Sequence, residues 1–119
     1  MIKPCVIGLG YVGLPIQINL SKKYECIGYD NNRNRIKDLI KGKDFFNEFK
    51  KKTLIDKSIK YTNSLEAIKN YNLFIVTVPT PILKNKSPDL KHLKDVCSNL
   101  SKIIKKNDII IFESTVYPG

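Results

Sequence analysis

Three glycines, Gly8, Gly10 and Gly13, stand in a G-x-G-x-x-G arrangement directly after the apolar run Cys5 to Leu9 and directly before an apolar-rich stretch of helical length. In that context each has a distinct use. Gly8 permits a tight turn, Gly10 lets the backbone come up against a pyrophosphate, and Gly13 lets a helix pack close to a sheet. The backbone amides around Tyr11 and Val12 would then face phosphates from the positive end of the helix dipole. Asp30 stands 30 − 13 = 17 residues beyond the last glycine, near the spacing of the acid that takes the adenosine ribose hydroxyls of a dinucleotide. A carboxylate at that place favours NAD, because a 2′-phosphate would meet like charge; Arg33 and Arg35 lie close by and keep NADP open. Glycines that only turn the chain, with Asp30 as a helix cap, would explain each residue singly but not their common register with strand and helix.

Other side chains with chemistry to offer are few. Thr80 lies in Val78-Pro79-Thr80-Pro81 and Thr115 in the segment Glu113 to Gly119, each following a strand-like run. Ligands of open parallel sheets sit beyond the carboxyl ends of the strands, so these two loops are where the nicotinamide half of a dinucleotide is expected. Turn threonines equally often satisfy strand-end backbone groups. Cys5, Cys26 and Cys97 are odd in number and lack metal-ligand spacing, and each occupies a position suited to an apolar core residue. Buried, unreactive free thiols are expected, and no metal site. His92 is the single histidine and is expected on the solvated side of its helix.

The elements that must position these residues alternate between strand-like runs and amphipathic stretches, the order of an α/β domain with a parallel sheet. After the first strand the pattern predicts a largely buried helix from about Val12 to Lys22, then a strand Cys26 to Tyr29. The next helix carries Ile36, Leu39 and Ile40 and stops at Gly42. Asp44 to Lys57 reads as an irregular or helical excursion. A short strand Ile59 to Thr62 follows, then Asn63 and Glu66 at capping-box spacing for a short helix. Leu73 to Val78 reads as a buried central strand. Ser87-Pro88-Asp89 opens a helix carrying Leu90, Leu93, Val96, Cys97, Leu100, Ile103 and Ile104 at helical spacing, and Asp108 to Phe112 is the fifth strand. The expected fold is a Rossmann-type doubly wound parallel sheet, usually ordered 3-2-1-4-5-6, truncated after the fifth strand, with an open edge prone to fraying or association.

Length and charge narrow the field. The 119 residues suit one domain and not two. The apolar runs are far below the roughly 20 residues of a membrane span, and the N-terminus lacks the pattern of a secretory signal, so the expected compartment is the cytoplasm. Lys plus Arg total 21 against 11 for Asp plus Glu, a net charge of +10. The lysines are spread through every segment without a helix-turn-helix, zinc or single-strand-binding signature, which reads as a solvated basic surface rather than a nucleic-acid site.

Several segments together resemble the UDP-glucose and GDP-mannose dehydrogenases: IGLGYVGLP (Ile7 to Pro15), GYDNNRNRI (Gly28 to Ile36), VPTP (Val78 to Pro81), PDL (Pro88 to Leu90) and ESTVYPG (Glu113 to Gly119). VPTPI and ESTVYPG look most like the branch acting on UDP-N-acetylhexosamines for surface polysaccharide synthesis. The resemblance implies oxidation of the C6 alcohol of a UDP-sugar to the uronic acid, with two hydrides passing in turn to NAD and a cysteine holding the sugar as thiohemiacetal and thioester. It further implies that Gly8, Gly10, Val12 and Gly13 meet the pyrophosphate, that Asp30 and Arg35 meet the adenosine ribose, and that Thr80 and Thr115 lie near the nicotinamide. The family's nucleophile has no counterpart in Cys5, Cys26 or Cys97. Residues 1–119 are therefore expected to form an incomplete NAD-binding domain, without the central helix, the UDP-sugar domain or the catalytic thiol, inactive alone and homo-oligomeric when full length. A freestanding NAD-binding sensor and an NAD-dependent hydroxy-acid dehydrogenase share the glycine turn and the acid, but neither predicts VPTP and ESTVYPG.

Overall fold

The computed structural model describes residues 1–45, 47–77 and 91–113. Five strands, β1 (Pro4–Ile7), β2 (Ile27–Tyr29), β3 (Lys60–Thr62), β4 (Leu73–Val76) and β5 (Ile109–Phe112), form one parallel sheet in the order β3-β2-β1-β4-β5. Parallel neighbours need crossovers, which here carry α1 (Gly13–Leu20), α2 (Arg33–Ile40), α3 (Lys51–Leu54) and α4 (Lys91–Ser101). The chain runs outward from β1 to β3, then returns beside β1 with β4. That reversal leaves a crevice at the carboxyl ends of β1 and β4, the place where open α/β sheets take ligands.

Strand pleating divides the core in two. Cys5, Ile7, Tyr29, Phe74 and Val76 point to one face and pack with Val96 and Leu100 of α4. Val6 and Ile75 point to the other and pack with Leu14 and Ile18 of α1 and Ile36 and Leu39 of α2. Helices on both faces explain why β1 is buried at all four residues and why its sequence reads as a continuous apolar run rather than an alternating one. Gln17, wholly buried on α1, lies over Gly28 of β2 and donates from Nε2 to the Lys60 carbonyl of β3 at 2.6 Å. One polar side chain thereby ties the first helix across two strands; among the described residues its Oε1 meets no hydrogen-bond donor.

Helix α2 is held at both ends by local chemistry. The Asn32 side chain accepts from the Arg35 amide at 3.1 Å, an N-cap that satisfies an otherwise orphaned donor. At the other end the Gly42 amide donates to the Leu39 carbonyl and the Lys43 amide to that of Asp38, a Schellman stop at the expected glycine.

Several expectations need correction. Helix α1 begins at Gly13, with Val12 as its N-cap, and ends at Leu20. Ile40 is 58 % exposed, because α2 buries only the narrow stripe of Ile36 and Leu39. Glu66 begins a single 3-10 turn, Glu66–Ile68, capped by Leu65 with no side-chain bond; Thr62 Oγ1 instead accepts from the Ser64 amide, so no capping box forms. β4 ends at Val76. The Ser87-Pro88-Asp89 opening of α4 lies outside the described residues. Cys97 is exposed, since α4 buries Val96 and Leu100 and Cys97 falls on the flank of that stripe.

Candidate dinucleotide site at the glycine turn

The turn after β1 is held by side chains and backbone from distant parts of the chain. Gly8 has φ 95°, a conformation that costs glycine little and other residues much, and its amide donates to the Tyr29 carbonyl at the end of β2 at 2.8 Å. The Thr77 hydroxyl, just past β4, lies 2.6 Å from the Gly8 carbonyl oxygen and 3.1 Å from that of Ile7. Leu9 is fully buried and gripped at both ends of its backbone: its amide donates to Asp30 Oδ2 at 2.9 Å, and its carbonyl accepts from Arg35 Nε at 2.8 Å. Gly13 packs so closely on this turn that a Cβ would overlap the Gly8 carbonyl oxygen, with the carbonyl carbon 2.9 Å away. The helix can approach only because that position has no side chain.

Gly10 is the opposite case. Among the described residues a Cβ there would have nothing within 4 Å, so its backbone faces open space at the mouth of α1. Val12, the N-cap of that helix, offers no side-chain acceptor, and the first turn contains no acid. The first amides of α1 are thus suited to an external anion, with the helix dipole favouring negative charge. Beside this end of the helix lies a cavity of about 470 Å³ bordered by Gly8, Gly10, Asp30 and Arg35. Asp30 spends Oδ2 on the Leu9 amide and Oδ1 on the Asn32 amide, 2.9 Å each. An ionised carboxylate has about four acceptor sites, so each oxygen retains capacity for a hydroxyl donor. Open glycine backbone and an uncapped helix start that offer amide donors, with a partly engaged carboxylate acceptor on the same cavity, fit what NAD requires.

The structure brings together Gly8, Gly10, Gly13, Asp30 and Arg35 among the residues singled out from sequence, with Tyr11 and Val12 exposed beside them. Arg35 stands at the cavity, but its guanidinium is engaged: Nη1 and Nη2 donate to Asp44 Oδ1 at 3.2 and 3.3 Å. Thr80 and Thr115 lie outside the described residues. His92 is exposed as expected, yet it borders the same cavity, with Val96 and Asn99 one and two turns further along α4. Cys5 and Cys26 are buried, and burial pushes both thiols up, Cys26 to about 11. Neither is a thiolate near neutrality. Among the described residues no group of His, Cys, Asp and Glu could hold a metal, and no helix is long and apolar enough to cross a membrane.

Sequence reasoning missed Thr77, Asp44 and Phe45. Thr77 sits inside an apolar run with nothing to mark its hydroxyl as the partner of a carbonyl 69 positions away. Asp44 is buried in a charged stretch that read only as an irregular or helical excursion.

Known proteins are similar to the chain over the same span. The family model for the UDP-glucose/GDP-mannose dehydrogenase family, NAD binding domain, matches residues 2–119. UDP-N-acetyl-D-glucosamine 6-dehydrogenase of Pseudomonas aeruginosa is 44% identical over 119 residues, which cover 99% of this chain and 28% of that protein. Protein CapL of Staphylococcus aureus is 42% identical over 96% of this chain and 27% of its own length. The solved structure of a UDP-D-ManNAc dehydrogenase from Pyrococcus horikoshii superimposes with a TM-score of 0.87 at 31% identity, covering 99% of this chain and 29% of that one. The chain spans little more than a quarter of the length of these relatives. With the glycine turn, the acid after β2 and the strand order all in place, the chain belongs to the UDP-glucose/GDP-mannose dehydrogenase family and corresponds to its NAD-binding domain.

Proposed function

We propose that this chain binds NAD across the carboxyl ends of β1 and β2, as the dinucleotide-binding part of a longer cytoplasmic, homo-oligomeric enzyme. That enzyme would oxidise the C6 alcohol of a UDP-N-acetylhexosamine to the uronic acid for surface polysaccharide synthesis. One observation carries the NAD reading: the Asp30 carboxylate is bonded to the Leu9 amide inside the glycine turn, so the ribose acid and the phosphate turn form one rigid unit on one cavity. The amides at Gly10, Tyr11, Val12 and Gly13 would hold the diphosphate, Asp30 the adenosine ribose with Arg35 beside it, and Thr80 and Thr115 the nicotinamide side. When bound, NAD supplies the hydride acceptor; the chain's own residues bind and orient it.

The substrate assignment is supported by the relatives acting on UDP-N-acetylglucosamine and UDP-N-acetylmannosamine. The UDP-sugar domain, the central helix and the catalytic thiol belong on this reading to the part of the longer protein that residues 1–119 do not cover. Burial of Cys5 and Cys26 supports a nucleophile elsewhere. Calorimetric titration of the chain with NAD tests the site: saturable binding is expected, lost on Asp30→Ala, and no heat from the wild-type chain refutes it. Turnover of a UDP-sugar by this chain alone, with NADH appearing, would overturn the division of labour.

A further inference from the structure

We infer that Asp44 is a positioning residue for the dinucleotide site, acting through Arg35 on the Leu9 peptide of the glycine turn. The inference rests on the proposed NAD site and adds a residue outside the glycine motif and its acidic partner.

The geometry is a relay. Asp44 Oδ1 accepts from both terminal nitrogens of Arg35, while Arg35 Nε donates to the Leu9 carbonyl. The side chains of the pair are only 10 % and 1 % exposed. A guanidinium so enclosed is fixed by its partner, because a buried charge left without its counter-charge is strongly disfavoured. The planar fork leaves Arg35 little freedom to turn: with the Nη side committed to Asp44, Nε is aimed at Leu9. Asp30 holds the other side of the same residue through the Leu9 amide. Two carboxylates, one direct and one through an arginine, therefore fix both peptide planes that flank Leu9. The second plane includes the amide of Gly10, where the diphosphate comes closest.

Asp44 has its own anchorage. Oδ2 accepts from the Glu48 and Phe49 amides at 2.9 and 3.3 Å, so the carboxylate organises the segment after α2 as well as holding Arg35. Phe45, the next residue, borders the same cavity as Asp30 and Gly10. The excursion between α2 and β3 thus supplies an anchor and a wall to the site.

The test separates this relay from a purely local structural role. In the ligand-free chain, ¹H–¹⁵N spectra follow the Gly10 amide, which shares its peptide plane with the Leu9 carbonyl. Asp44→Asn should shift the Gly10 resonance and weaken NAD about tenfold by calorimetry, the loss of one charge-assisted hydrogen bond's alignment. Combining Asp44→Asn with Arg35→Gln should weaken NAD no further than Arg35→Gln alone, as expected of residues acting in series. If Asp44 only braces its own loop, the Glu48 and Phe49 amides move while Gly10 and the NAD affinity stay at wild-type values, and the inference is overturned. Should Asp44→Asn fail to fold, Arg35→Lys preserves the ion pair but cannot also reach Leu9 with an Nε donor. It should move Gly10 and weaken NAD, and an unmoved Gly10 overturns the relay. A wild-type chain that takes up no NAD sinks the site itself, whereas wild-type binding with an indifferent Asp44→Asn sinks only the role of Asp44.

Discussion

Replacing Gly10 by alanine should separate stability from binding. A Cβ at Gly10 would have no heavy atom of the described residues within 4 Å, and Gly10 is not among the residues with positive φ, so alanine can keep the native backbone. The folded state loses nothing and the unfolded chain loses freedom, a gain of about 0.4–1 kcal/mol. The melting temperature should then hold steady or rise by about 3 °C. The same methyl occupies the open space through which a diphosphate must reach the first amides of α1. Amide-to-oxygen hydrogen bonds need about 2.9 Å, and a methyl on the adjacent Cα forces the phosphate oxygens outward beyond that range. Losing one charge-assisted bond at about 1.5–3 kcal/mol corresponds to a roughly ten- to hundredfold weaker Kd. Differential scanning fluorimetry and calorimetric titration with NAD on the same preparation measure both effects. A variant that melts like wild type and also binds NAD like wild type would mean that the diphosphate does not approach Gly10.

Gly13→Ala should fail on both counts, because its Cβ would overlap the Gly8 carbonyl; overpacking of about 1–3 kcal/mol should lower the urea midpoint together with NAD affinity. Phe74, wholly buried at the centre of the sheet, should cost about 3–5 kcal/mol on truncation to alanine, measured by urea titration; a loss below 1 kcal/mol would contradict a packed core at β4. Maleimide at neutral pH should label the native chain once, at exposed Cys97, and Cys5 and Cys26 only after denaturation; rapid labelling of all three, read by mass spectrometry, would contradict their burial. Burial raises the Cys26 thiol from 9.0 to about 11, so the folded state favours the protonated thiol. That contribution is complete below pH 9.0 and is lost as pH rises through about 11. Unfolding free energy should accordingly fall more steeply over that window in wild type than in Cys26→Ala, and parallel curves would refute the assignment.

The strand order, the glycine turn and the acid after β2 were legible because each follows from a local pattern: apolar runs separated by helical stretches, glycines between a strand and a helix, a carboxylate at a strand end. The misreadings share a cause. Cys97 and Ile40 sit next to residues that are buried, and helical spacing alone cannot say how wide a stripe the sheet will cover; here α2 and α4 each bury only two residues. Asn63 and Glu66 had capping-box spacing, but the segment before β4 closes as a single 3-10 turn, too short to present the N-terminal donors that such a box satisfies. Gln17 was not singled out from the sequence, yet it is a fully buried crosslink to β3. Its partner is a backbone carbonyl, which carries no signature in the residue types.

The same limit explains why the strongest feature of the site was invisible before the fold. Turn backbone outside a ladder must find partners elsewhere, and at Gly8 and Leu9 those partners come from β2, α2 and the residue after β4. Only Asp30 was identifiable in advance, since Arg35 was expected to meet the ribose and Thr77 to be core. Convergence of so many elements on two residues means that the backbone proposed to meet the diphosphate is held in one shape by the fold itself. Preorganisation lowers the ordering cost of association, so residues that never touch the dinucleotide should still govern its affinity. Conversely, the energy spent enclosing the Arg35 and Asp44 charges is supplied by packing on both faces of the sheet, which is why weakening Phe74, on the far side of β1 from α1, should loosen the turn as well as the core.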